Sequence, residues 1–146
     1  ARISYSEEYI QMQTLTEGSN PMAEQLAKKG FEVRTRLFGE KAAVAGNEFL
    51  KSFDEGFATF LNDQLFGGIW GRPGLETKIR SLITMTALMA LGRGPELRLH
   101  MRGALNIGVT QQEIKEMIIN ISQYSGVPTA VTAIRAFRGV TEPKDA

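Results

Sequence analysis

Arg93-Gly94-Pro95-Glu96-Leu97-Arg98-Leu99-His100 reads as a turn that opens into a helix. Pro95 suits a first helical position, where its missing N–H would have had no intrahelical partner. From that start Glu96 and His100 stand four residues apart on one face, within reach of each other. Arg93 lies in the turn, three residues before Glu96, and can point the same way. His100 is the only histidine in the chain. A carboxylate, an imidazole and a guanidinium at the mouth of one helix form the candidate site.

The same punctuation recurs along the chain. Asn20-Pro21 caps and starts a helix expected to run to Leu37-Phe38, where Gly39 stops it. Gly30 costs that helix about 1 kcal/mol in its middle, so either the helix restarts there or a neighbour crosses closely. Residues 40–46 read as a connector. A second helix is expected from about Asn47 to Leu65, with Phe49, Phe53, Phe57 and Phe60 on one face as core packing. Gly67-Gly68-Ile69-Trp70-Gly71-Arg72-Pro73-Gly74 then holds four glycines and one proline, which predicts a shaped loop. Such a loop, carrying the sole tryptophan and an arginine, is where a ligand wall can be built.

Leu75 to Leu91 is the most apolar segment. Its expected inner side is Ile79, Leu82, Ile83, Thr86, Ala87, Ala90 and Leu91, with Met85, Leu88 and Met89 widening the stripe. The Pro95 helix continues to about Asn106, with Gly108 beyond it. Thr110-Gln111-Gln112-Glu113 is a capping box. The helix it opens carries Ile114, Met117, Ile118, Ile121 and Tyr124 and stops at Gly126, and Val127-Pro128-Thr129 starts a last helix through about Val140. With no convincing strand, the fold class is all-α: a bundle of about six helices, antiparallel where loops are short. Residues 1–20 read as an amino-terminal arm and residues 21–146 as one domain.

The totals narrow the function. A formal net charge of +1 gives no field for nucleic acid or an anionic membrane. The chain has no cysteine, which removes disulfides, thiolate metal sites and thiol redox chemistry. No uninterrupted apolar run reaches the ~20 residues of a membrane span. Ala1-Arg2-Ile3-Ser4-Tyr5 lacks the apolar core of a signal peptide, so a cytoplasmic location is expected.

Several motifs together resemble one family. These are Trp70-x-Arg72-Pro73-Gly74-Leu75, Ser81-Leu82, Ala90-Leu91-Gly92-Arg93, Glu96-Leu97-x-x-His100, Gly108-x-Thr110-x-x-Glu113-Ile114 and Tyr124-x-Gly126-Val127-Pro128. In this order and spacing, over about Phe31 to Val140, the chain resembles the γ-carboxymuconolactone decarboxylase family. The wider superfamily includes alkylhydroperoxidase-like proteins with a Cys-x-x-Cys-x-x-x-His site. Arg93 and Glu96 occupy the two cysteine positions here, and His100 keeps the histidine, so thiol peroxidase chemistry is closed to this chain.

The resemblance implies an AhpD-like helical bundle assembled as a homo-oligomer (trimers, often paired as hexamers), with no metal or organic cofactor. It also implies loss of CO2 from 4-carboxymuconolactone to give 3-oxoadipate enol-lactone, a step in the breakdown of aromatic compounds. The small-molecule partner would be a carboxylated lactone or keto acid.

In that chemistry His100 donates or relays a proton near neutral pH. Glu96 orients the imidazole or is itself the acid, and Arg93 meets a substrate carboxylate or the developing oxyanion. Arg72 is expected to take the second carboxylate, with Trp70 and Tyr124 beside the substrate. Each has a plainer reading. Glu96 suits the dipole of a first helical turn, Arg93 can cap, Trp70 can pack, and Tyr124 can end a helix. A catalytically silent oligomer that binds a small acid, or a family member recruited to another secondary-metabolite substrate, stands as the alternative.

Overall fold

The computed structural model describes residues 20–142. The expected arm, Asn20 apart, and the last four residues lie outside the described residues. Those described form seven α-helices and one π-helical segment, with no strand among them. In chain order these are α1 (Pro21–Phe38), α2 (Glu40–Phe53), α3 (Glu55–Phe60), the π-helical segment Leu61–Trp70, α4 (Thr77–Ala90), α5 (Gly94–Asn106), α6 (Gln111–Ser125) and α7 (Val127–Thr141).

Local signals set most boundaries. Asn20 accepts from the Met22 N–H at 3.1 Å and opens α1, while Thr110 and Glu113 close a complete capping box at the head of α6. α5 begins at Gly94, one residue before the proline, with Arg93 as its cap.

The first half of the chain departs from its pattern. Residues 40–46 are not a connector but the first turns of α2, which follows α1 after the single residue Gly39. The helix expected from Asn47 to Leu65 is broken at Asp54. That residue is extended (φ −163°, ψ 127°), and its carboxylate accepts from the Phe57 N–H at 2.7 Å to start α3. A short acid that satisfies a free N–H this way competes with helix continuation. The glycine-rich stretch is not wholly a loop either. Gly67 to Trp70 stay helical in the wider π form, with the Gly71 N–H donating to the Phe66 carbonyl at 2.9 Å, and the turn follows it.

Two cores result. The larger joins α4, α5, α6 and α7 around Met85, Met89, Leu97, Met101, Ala104, Ile114, Met117 and Phe137. The inward side of α4 is thus Ser81, Met85 and Met89, not the expected Ile79–Ile83–Leu91 side, whose three residues are exposed. A helix apolar almost all round carries no stripe to choose by. The phenylalanine face is a second correction: Phe49 and Phe53 are 75% and 82% exposed, and Phe57 and Phe60 are also open. That ridge is not core among the described residues.

The smaller core holds α1 against the π-helical segment through Val33, Leu37 and Trp70, with Phe38 and Phe66 packed on it. Here glycine decides. A Cβ on Gly30 would run into the Asn62 carbonyl, and one on Gly67 into the Leu26 carbonyl. The neighbour crosses closely and α1 does not restart. The Asn62 amide donates to the Ala27 carbonyl at 2.8 Å across this contact, and the Asn106 amide ties α5 to the Leu37 carbonyl at 2.8 Å. Arg34 is buried beside it, donating to Asn47 and the Ala43 carbonyl with Phe66 under its guanidinium.

Gly30→Ala or Gly67→Ala is therefore expected to destabilise, although alanine favours an ordinary helix by about 1 kcal/mol. Forcing two backbones apart costs about 1–3 kcal/mol or more. Urea denaturation of either variant should show a lower midpoint than the parent chain, and an unchanged or raised midpoint would contradict the close crossing.

Candidate active site

α5 and the π-helical segment meet at His100. Trp70 stacks on the imidazole, with ring centroids 5.8 Å apart and planes at 24°, while Phe38 meets it edge-on at 5.7 Å. The wide turns of the π form put Phe66 and Trp70 on the side facing α5, with centroids 6.3 Å apart. π-helical turns are rare and recur at functional sites, where they re-aim side chains. Beside the imidazole lies a cavity of about 350 Å³, walled by Leu65, Phe66, Ile69, Trp70, Leu75 and Ile83. Its polar lining among the described residues is Arg80, Thr84 and His100, with the indole of Trp70.

The imidazole is desolvated. Its Nδ1 is buried with no hydrogen-bond partner among the described residues, and burial pushes its pKa below the ordinary histidine value. Loss of hydration penalises the cation, so the resting imidazole is neutral at neutral pH. Among the described residues no group of His, Asp or Glu is arranged to hold a metal ion.

The other expected site residues are distributed unevenly. Trp70 and His100, far apart in sequence, are brought into contact. Arg93 and Glu96 are exposed at the start of α5, and no hydrogen bond or ion pair with a described residue joins either to His100. Arg72 is exposed in the turn after the π segment, where its carbonyl accepts from Arg80 at 3.3 Å. Tyr124 is 83% exposed near the end of α6 and does not line this cavity.

Sequence reasoning passed over Arg80, Thr84 and the flanking Phe38. A signal for Arg80 was present: Arg80 and Lys78 are the only charged residues in α4. Arg80 also shares a face with Thr84, whose hydroxyl donates to the Arg80 carbonyl at 3.0 Å.

The family model for the carboxymuconolactone decarboxylase family matches residues 55–139, and the chain belongs to that family. It is 44% identical over 111 residues to 4-carboxymuconolactone decarboxylase of Acinetobacter baylyi, covering 76% of this chain and 83% of the relative. It is 33% identical over 114 residues to the nitrosuccinic acid decarboxylase npaB of Metarhizium robertsii, covering 70% of this chain and 80% of the relative. A third relative, an uncharacterized 15.0 kDa protein of Paracoccus denitrificans, is 33% identical over 117 residues, 73% of this chain and 87% of its own. The relatives with an assigned activity place the chain among the decarboxylases.

The buried imidazole has a consequence for stability. Its folded pKa lies below its unfolded value, so the unfolded chain takes up this proton first as the pH falls. The contribution is intact above about pH 6.5 and is lost as the pH drops through the window below it. Urea midpoints of the parent chain and His100→Gln, compared at about pH 7.5 and about pH 5.5, should show a smaller acid loss in the variant. Equal losses would mean that the imidazole is solvated.

Proposed function

We propose that the chain is a cofactor-independent decarboxylase of 4-carboxymuconolactone or a closely related unsaturated lactone or keto acid, acting in the cytoplasm on the products of aromatic ring cleavage. The observation that carries this reading is the desolvated His100, stacked on Trp70 at the edge of a mainly apolar cavity. The reaction needs a held carboxylate, a path for its electrons and a proton for carbon. The departing carboxylate sits on a saturated ring carbon vinylogous to the lactone carbonyl. When that carbon–carbon bond stands perpendicular to the unsaturated ring, its electron pair passes into the π system as CO2 leaves. The product of this step is a dienolate with its charge on the former carbonyl oxygen. One proton added at the carbon next to that carbonyl gives the enol-lactone, so substrate and a proton become product and CO2.

His100 is the group that delivers the proton. Its cation is disfavoured in the empty cavity, and a dianionic ligand beside it reverses that balance by opposite charge. Substrate binding thus charges the acid that the reaction requires. In this reading Glu96, one turn earlier on α5 and open to solvent, returns a proton to the imidazole by way of solvent, and Arg93 adds positive charge at the helix entry. Trp70 fixes the plane of the imidazole and supplies a flat wall for the ring. The nitrosuccinic acid relative supports a second substrate, in which a nitro group takes the electrons in place of the lactone.

His100→Ala should lower kcat on 4-carboxymuconolactone by at least about 100-fold, the scale of a lost transition-state donor. Glu96→Gln should cost less than about 10-fold, as suits a group that only refills the proton. In the parent enzyme kcat/KM should fall with rising pH through a value below the usual histidine range, while the limb in kcat lies higher. That order follows from the pKa shift on binding. Limbs in the reverse order would remove His100 as the acid. Parallel assays on nitrosuccinic acid decide between the two electron sinks.

The same reading includes self-assembly. Phe49, Phe53, Phe57 and Phe60 leave an aromatic ridge on α2 and α3 uncovered, and Ile69 and Ile83 at the cavity are also exposed. Apolar surface of this kind marks an interface. Light scattering should report a trimer or hexamer, and Phe49→Ser with Phe53→Ser should shift it toward smaller species; an unaltered parent mass in that variant would exclude the ridge.

A further inference from the structure

Among the described residues, Arg80 is the only cationic side chain besides His100 itself that lines the cavity. Its guanidinium is held at one end, where Nη2 donates to the Arg72 carbonyl at 3.3 Å, and its Nε is buried with no hydrogen-bond partner among the described residues. No described acidic residue forms an ion pair with it. A buried donor left unmet is costly, and a guanidinium meets carboxylates through paired N–H groups. The same side chain lines the cavity that His100 also faces.

We propose that Arg80 binds the carboxylate that the substrate keeps, and that the chain thereby selects dicarboxylates. This rests on the decarboxylase reading above. The direction of electron flow separates the two carboxylates. The departing group starts with a full negative charge and ends as neutral CO2. A cation against it stabilises the ground state more than the transition state, which slows the step. The retained carboxylate has the same charge throughout, so a cation there tightens binding without opposing the chemistry. Leu75, Ile69 and Ile83 offer the apolar wall that suits the group becoming CO2.

The relatives' substrates point the same way. 4-Carboxymuconolactone and nitrosuccinic acid differ in the group that accepts the electrons, yet each keeps one carboxylate after losing the other. A site built for the shared feature serves both. Arg72, expected from sequence to take this carboxylate, instead holds Arg80 through its backbone carbonyl.

The test compares the parent enzyme with Arg80→Gln and Arg80→Lys on 4-carboxymuconolactone and on its ester at the retained carboxylate. Arg80→Gln should raise KM for the diacid roughly 10- to 150-fold, the worth of a hydrogen bond to a charged group, with kcat changed less than about 5-fold. Arg80→Lys, which keeps the charge but not the fork, should fall between. On the ester the parent enzyme should lose the same factor and Arg80→Gln should lose nothing further. A fall in kcat at constant KM would assign Arg80 to the reacting atoms and overturn the proposal, as would unchanged kinetics.

Where the parent enzyme does not turn the lactone over, the substrate reading has failed by itself. Calorimetry with the saturated lactone dicarboxylate, which has no conjugated path and cannot react, then decides the role of Arg80. Weaker binding to Arg80→Gln than to the parent supports the carboxylate site. Equal affinity, or no binding to either, overturns it.

Discussion

The contact between α1 and the π-helical segment is the constraint on which the site depends. Two helices approach this closely only where neither carries a side chain at the crossing, and Gly30 and Gly67 supply the two bare positions. The Asn62 amide then bridges to the Ala27 carbonyl and fixes the register. With the register set, Phe38 arrives from one side and Trp70 from the other, and His100 is enclosed between aromatic rings. The histidine does not create its own environment. It is desolvated because two backbones some distance away are in contact.

That enclosure gives the cavity a division of labour. One wall is apolar and favours loss of charge, and one edge carries a guanidinium that favours its retention. Histidine lines the same space, with burial holding its pKa below the ordinary value. The proposed reaction, which turns a dianion and a proton into a monoanion and a neutral gas, is suited to such asymmetry. In the proposed reaction the conjugated substrate is its own electron sink, which leaves the protein orientation, exclusion of water and one proton.

Sequence reading succeeded where structure is local. The Thr110–Glu113 box and the caps at Asn20 and Gly126 depend on residues within a few positions of each other, and all are present. It failed where burial depends on partners elsewhere. The phenylalanine spacing from Phe49 to Phe60 was helical in period, but Asp54 interrupts the helix and the ridge has no partner among the described residues. On α4 the apolar residues surround the axis, so nothing in the pattern favoured Met85 and Met89 over Ile79 and Ile83. Arg80 went unnoticed because one arginine on a helix ordinarily faces solvent, and only the fold shows it turned toward His100. The convergence of Arg93, Glu96 and His100 was argued from spacing alone, and of the three only His100 lines the cavity.

The centre of the larger core is unusual in its chemistry. Met85, Met89 and Met101 are almost wholly inaccessible, and Met117 is close behind. Thioether side chains are unbranched and polarizable, and they fill irregular space without a single preferred shape. Such an interior absorbs small displacements of α4 and α5, the two helices that carry Arg80 and His100, without opening voids. It also sets a vulnerability, since oxygen added to any of these sulfurs places a polar sulfoxide where nothing can solvate it. A protein with no thiol to lose is still open to damage by oxidants, and its weak point lies at the centre of its packing.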